Sequence, residues 1–145
     1  MKKQMIAALA AMFVATAASA ATPILVHRDP GCGCCEKWAE QVRTQFKRPV
    51  TIIDDRSRAA FQQARGVPQQ LSSCHTAVVD GLVFEGHVPI ADMRRLLAQR
   101  PRGVSGLAVS GMPIGSPGME VPGQRAQPYV VIAFGPSGRR VFARH

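Results

Sequence analysis

Three cysteines stand within four residues at Cys32-Gly33-Cys34-Cys35, and Gly31 and Gly33 free the backbone around them. Behind them the apolar positions Trp38, Ala39, Val42 and Phe46 recur at helical spacing, while Glu36, Lys37, Glu40, Gln41 and Arg43 take the other face. Cys34 and Cys35 therefore fall in the first turn of a helix, whose positive end favours thiolates. Two chemistries use thiolates so placed. One is redox exchange, for which Cys32 and Cys35 have the two-residue gap of a dithiol; the other is binding of a soft metal, which thiolates chelate or bridge. A dithiol enzyme needs one attacking and one resolving cysteine, which leaves Cys34 as a surplus thiol open to scrambling. The fourth cysteine, Cys74, is followed directly by His75.

Other uses of four cysteines fit less well. A purely structural role is disfavoured, because a Cys34–Cys35 bridge is strained and the other bridges within the cluster close loops too small to restrain the unfolded chain. Zinc lacks a second two-residue Cys or Cys/His hook. An iron–sulfur cluster would have to be inserted after export of an unfolded chain, and the leader has no twin-arginine pair. Methionine placement points to copper. Beyond residue 20 there are three methionines: Met93 on the apolar face of a helix, and Met112 and Met119 in a Gly/Pro-rich segment where no buried helix face explains them. Thioethers select Cu(I) over zinc, although either residue also suits a gap in the core. Of the histidines, His75 is the first ligand candidate by its adjacency to Cys74, and His87, just before Val88-Pro89, is the next. His27 ends the first strand near the cluster, and His145 is uninformative.

These side chains need a scaffold. Residues 1–20 combine Lys2 and Lys3, an apolar run from Met5 to Ala18 and the ending Ala18-Ser19-Ala20, the pattern of a cleaved secretory signal peptide. The run is too short to span a bilayer of roughly 30 Å, and no second long apolar run follows, so a soluble exported protein without stable membrane insertion is expected. The 145 residues carry 18 Lys plus Arg against 9 Asp plus Glu, a net charge of +9. The arginines are scattered from Arg28 to Arg144 without a basic run or interleaved aromatics, which argues against nucleic acid as a partner.

Residues 21–145 read as one domain. Ile24–Val26 is a short strand leading into a His27-to-Gly31 loop, followed by the cysteine helix and a β-branched strand at Val50–Ile53. A short helix runs through Ala60, Phe61 and Ala64, and a hairpin turns at Asp80-Gly81 between Thr76–Val79 and Leu82–Phe84. Pro89 opens a helix with Ile90, Met93, Leu96 and Leu97 on one face, ended by Arg100-Pro101. Strand, helix, strand, helix, hairpin, helix is the order of a thioredoxin-like α/β sandwich. In that arrangement the loop entering the third strand lies against the first helix, so Cys74 and His75 face the three-thiol cluster. Residues 101–128 hold six Gly and five Pro, and read as a long Met-containing loop that is functional or disordered. A C-terminal β-hairpin closes the chain, from Tyr129–Phe134 through Gly135-Pro136-Ser137-Gly138 to Val141-Phe142.

Four segments together, Asp29-Pro-Gly-Cys-Gly-Cys-Cys35, Ser73-Cys-His-Thr-Ala-Val-Val-Asp80, Glu85-Gly-His-Val-Pro89 and Gly111-Met-Pro-Ile-Gly-Ser-Pro-Gly-Met-Glu120, resemble the CopG-like family of exported bacterial proteins associated with copper resistance. The resemblance implies a thioredoxin-like fold holding a multinuclear Cu(I)/Cu(II) cluster in the periplasm. It implies Cys32, Cys34, Cys35 and Cys74 as thiolates, with support from His75, His87, Met112 and Met119. Its expected partners are copper ions and a copper-resistance or electron-transfer protein of the periplasm. Three functions stay open: copper binding with interconversion of its oxidation states, a thiol–disulfide oxidoreductase using Cys32 and Cys35, and passive copper sequestration or delivery. Whether the chain is an enzyme is left undecided by its residues.

Overall fold

A computed structural model describes residues 21–145; the leader expected at 1–20 lies outside the described residues. The elements run β1 (Ile24–Arg28), α1 (Gly33–Phe46), β2 (Val50–Asp54), α2 (Arg58–Ala64), a 3₁₀ turn at Gln69–Leu71, β3 (His75–Val79), β4 (Leu82–Glu85), α3 (Ile90–Gln99), β5 (Gly106–Ala108), β6 (Val130–Gly135) and β7 (Gly138–Arg144). The strands form one mixed sheet in the order β2-β1-β3-β4-β5-β6-β7.

Two helical crossovers and two hairpins build that order. α1 carries the chain from β1 to a parallel β2, with Ile24 opposite Val50 and Arg28 opposite Asp54. On the other side of β1 lies β3, antiparallel, with Arg28 opposite His75. β3 turns into β4 through Asp80 and Gly81, at φ 48° and 83°, the paired positive angles that suit a tight hairpin between right-twisted strands. α3 then carries the chain to β5, parallel to β4, and β6 and β7 extend the sheet as an antiparallel hairpin.

Several strand ends shift by one residue from the sequence reading, and β7 outruns Val141-Phe142 at both ends; two other differences follow from strand pairing. β1 continues through His27 and Arg28, because β2 ladders against it as far as Asp54. The Gly/Pro-rich segment is interrupted by β5, which pairs with β4 on one side and β6 on the other. Gly106 enters because it lacks a side chain: a Cβ there would lie 2.0 Å from the Val83 carbonyl oxygen. Such pairing engages main-chain groups, which a count of Gly and Pro does not reveal. Residues 109–129 form neither helix nor strand.

Alternation along the strands divides the core. Ile24, Val26, Ala77, Phe84, Leu107 and Val131 face α1 and α3, where Trp38, Val42, Met93 and Leu96 meet them. Val83, Ala108 and Phe134 pack with Val67 and Leu71 on the opposite face. Trp38 is fully buried, and its indole N–H donates to the Val88 carbonyl at 3.0 Å, fixing α1 to the segment between β4 and α3. Among the described residues no helix is long and apolar enough to cross a membrane.

The irregular segment is pressed onto the start of α1 at Gly118. This residue has φ +83°, and a Cβ would sit 2.7 Å from the Cys34 carbonyl oxygen and 2.8 Å from the Trp38 nitrogen. Gly118→Ala combines an unfavourable left-handed conformation with a backbone collision, so it should destabilise the chain by about 1–3 kcal/mol. Urea denaturation followed by Trp38 fluorescence checks this; an unchanged midpoint would mean that the segment does not rest on the helix.

Candidate metal centre

Cys32 caps α1, its Sγ accepting the Cys35 N–H at 3.3 Å, so the first turn of the helix begins on a sulfur. Arg28, buried at the end of β1, braces that turn: its guanidinium donates to the Cys32 carbonyl at 2.9 Å and pairs with Glu36 at 2.9 Å and Asp54 at 2.6 Å. Cys74 arrives from the loop before β3. Asp29 N–H donates to the Cys74 carbonyl at 3.0 Å, and Cys32 N–H donates to the Asp29 carbonyl at 3.1 Å, so one residue links the two thiol-bearing segments.

The outcome is a close group of four sulfurs. Cys32 and Cys35 are joined in a disulfide, and Cys34 and Cys74 are free. Cys34 Sγ lies 3.4 Å from Cys32 Sγ, Cys74 Sγ lies 3.4 Å from Cys35 Sγ, and all four are within 4.8 Å of one another. Opening the disulfide would leave four cysteine sulfurs close enough to donate to one shared ion. Exposure falls inward, from half-buried Cys32 and Cys34 to buried Cys35 and Cys74.

Both predicted histidines join the inner side. Cys74 Sγ is 3.2 Å from His87 Nε2 and 3.5 Å from His75 Nδ1, which makes a second, overlapping group of one sulfur and two imidazoles. The carbonyl of Pro117 lies 2.8 Å from His87 Nδ1 and can only accept, so it fixes the proton there and leaves the Nε2 lone pair directed at Cys74. His75 is fully buried against Trp38, and its Nε2 has no hydrogen-bond partner. Burial lowers the pKa of both imidazoles, and the positive charge that His87 and Arg58 can carry depresses His75 further. Burial also pushes the Cys74 thiol up to about 12, with the neighbouring Cys34 adding to the effect. Neutral imidazoles and closely spaced sulfurs fit a soft or borderline cation, whose charge would offset the cost of deprotonating Cys74.

The methionines separate. Met112, 51% exposed, places its Sδ 3.9 Å from Cys34 Sγ at the outer rim. Met119 is half-buried, and its main chain ties the loop, accepting from Gly115 N–H at 2.9 Å and donating to the Ser116 carbonyl at 2.8 Å. His27, expected near the cluster, sits inside β1 instead. It pairs with Asp55 at 2.9 Å and stacks on Phe61 at 3.7 Å between ring centroids, because its side chain leaves the sheet on the face opposite Val26 and Arg28.

Sequence reasoning missed the residues that aim the ligands. Glu85, wholly buried, accepts Ser73 N–H at 2.7 Å and Thr76 O–H at 2.5 Å, with Arg58 3.5 Å away. Arg58 also forks onto Asp29 at 2.7 and 3.2 Å. An acidic residue closing the otherwise apolar strand Leu82-Val-Phe-Glu85 was the one available signal; nothing marked the Pro117 carbonyl.

Fold and site together define a mixed α/β protein with a cysteine-centred group able to hold a metal. The chain belongs to the family of the copper resistance protein CopG. Two solved structures titled as forms 1 and 2 of that protein match it at 40% and 41% identity, with TM-scores of 0.78 and 0.77. They cover 86% and 85% of this chain, and 98% and 97% of their own. The model of a family described as a protein of unknown function, DUF411, matches residues 71–119, from the 3₁₀ turn to Met119. No curated protein matches.

The buried groups make stability depend on pH. Unfolding lets His75 and His87 take protons below their ordinary value of 6.5, which their folded environment resists. The metal-free chain should therefore lose stability as pH falls below about 6.5, by up to roughly 1.4 kcal/mol per pH unit for each histidine. Glu85, whose carboxyl is pushed up by burial, offsets part of this loss only at lower pH. In alkali the unfolded chain releases the Cys74 proton near 9.0 while the folded chain keeps it to about 12, so stability declines again over that range. Urea midpoints measured against pH should show a plateau between these limits; a profile flat down to about pH 5 would mean that the imidazoles are not held neutral.

Proposed function

We propose that this chain holds copper in a resistance or homeostasis role, as an exported periplasmic protein of thioredoxin-like architecture, and keeps more than one ion on bridging thiolates. The observation that carries the reading is the convergence of Cys32, Cys34, Cys35 and Cys74 within 4.8 Å of one another. Thiolate and thioether donors select Cu(I), and thiolates can each bridge two ions, which favours a multinuclear site. Copper is the cargo. The reduced chain supplies the sulfurs, Met112 adds a thioether at the rim, and the Gly118 contact keeps the Met-bearing segment over the first turn of α1. Met119 enters as a ligand from the same segment.

The relatives' printed name, copper resistance protein, supports the cargo. The order β2-β1-β3-β4, with its first pair parallel and the rest antiparallel, supports the thioredoxin-like reading, and β5 to β7 with the irregular segment extend it. Export rests on the pattern of residues 1–20. Cys74, His75 and His87 form a set of one thiolate and two imidazoles, which suits Cu(II) as well as Cu(I), so interconversion of the two states belongs to the proposal. A copper-resistance or electron-transfer protein would then exchange copper or electrons with the site.

A second reading, a thiol–disulfide oxidoreductase, is favoured by the bridged Cys32 and Cys35 at the helix N-terminus. Elemental analysis with a thiol count separates the two. Protein produced with copper and purified without chelator should contain several copper ions per chain, and its thiols should react only after metal removal. Cys34→Ser should lower the copper retained by at least half while leaving the thermal midpoint of the metal-free chain in place. Protein that takes up no Cu(I) after anaerobic reduction, yet reduces disulfides in a manner lost in Cys35→Ser, would establish the second reading instead.

A further inference from the structure

With Cys32 and Cys35 joined, the cluster is oxidised at one pair and reduced at the other two sulfurs. Each remaining thiol touches one sulfur of the bridge at 3.4 Å, Cys34 beside Cys32 and Cys74 beside Cys35. Each also has a further donor outside the bridge. Cys34 has Met112 Sδ at 3.9 Å, and Cys74 has His87 Nε2 at 3.2 Å and His75 Nδ1 at 3.5 Å. Taking the roughly 2.3 Å of a zinc–thiolate bond as a guide, a single ion can reach both donors of either pair. Forming the disulfide thus leaves a pair and a group of three soft or borderline donors in place.

We propose that Cys32 and Cys35 are an internal two-electron reductant for copper(II), and that the Cu(I) so formed stays on Cys34 with Met112 and on Cys74 with its histidines. The inference rests on the copper reading above. Two S–H bonds break and one S–S bond forms; each sulfur gives up one electron, two Cu(II) become two Cu(I), and two protons pass to solvent, with two more released as Cys34 and Cys74 take up Cu(I) as thiolates. A single round draws both electrons from the chain itself, and each further round needs an external dithiol to return two electrons and reset the pair. Cys32 and Cys35 suit the task because they stand one turn apart at the end of α1, so joining them orders little additional chain. Once Cys32 and Cys35 are joined, the remaining neighbours of Cys34 and Cys74 are a thioether and imidazoles, which do not form disulfides.

The test adds copper(II) sulfate stepwise and without oxygen to the fully reduced, metal-free chain. The first two equivalents should give no paramagnetic copper signal, and a third should remain visible. The thiol count should fall by two, and peptide mapping after acid quenching should find the bridge between Cys32 and Cys35. Cys35→Ser should slow the loss of the copper(II) signal at least tenfold. A bridge mapped to another pair or between two chains would overturn the proposal, as would a Cys35→Ser chain reducing copper at the original rate. Adding Cu(I) directly distinguishes the two levels of the argument. A chain that holds Cu(I) but leaves copper(II) unreduced defeats this inference alone, whereas one that holds no Cu(I) defeats the copper reading and this inference with it.

Discussion

The site depends on keeping two short segments, with Cys35 and Cys74 39 residues apart in sequence, at touching distance, and a buried carboxylate governs that spacing. Glu85 has no exposed surface, and its oxygens draw in the Ser73 main chain and the Thr76 hydroxyl. Arg58 stands between Glu85 and Asp29, whose own main chain meets Cys74 on one side and Cys32 on the other. Taking such charges out of water costs several kcal/mol each, and the cost is offset only where every oxygen and nitrogen finds partners in good geometry. Loss of Arg58 leaves the wholly buried Glu85 carboxyl without its cation. The clamp therefore permits little variation in the separation of the sulfurs it frames.

Around that clamp the donors grade in character. An exposed thioether and half-buried thiols lie outermost, buried sulfurs come next, and two neutral imidazoles lie deepest. A soft ion is most at home in the outer and middle layers, while nitrogen donors broaden the inner one. The Pro117 carbonyl, next to the Gly118 contact with α1, fixes the proton of His87, so the irregular segment shapes the centre at both its rim and its floor.

Much of this was legible in the chain itself. The helical spacing behind Cys35, the Asp80-Gly81 turn and the Pro89 helix start are local signals, and local physics decides them. The pairing of Cys74-His75 with the cysteine cluster was also within reach, because the order of elements brings the loop before β3 to the N-terminus of α1. What stayed hidden is non-local. β5 exists because two neighbouring strands offer it main-chain partners. Arg28 and Arg58 look like surface charges in sequence, yet they are spent on carbonyls and carboxylates beside the site. His27 shows the opposite error, since proximity along the chain placed it near the thiols while alternation along β1 turned it to the other face.

The way the ligands are distributed along the chain makes assembly stepwise. Cys32, Cys34 and Cys35 are neighbours before any tertiary structure exists, so an unfolded chain already has a weak local chelate. Cys74 and Met112 join it only when β1, β3 and the irregular segment are in place, across 39 and 78 residues. On the copper reading, an ion caught early by the local trio would gain its remaining donors as the chain folds, and the difference in affinity between the two situations would become folding free energy. Filling the site would then add to the stability of the fold, and emptying it would return the chain to what its sheet and core supply.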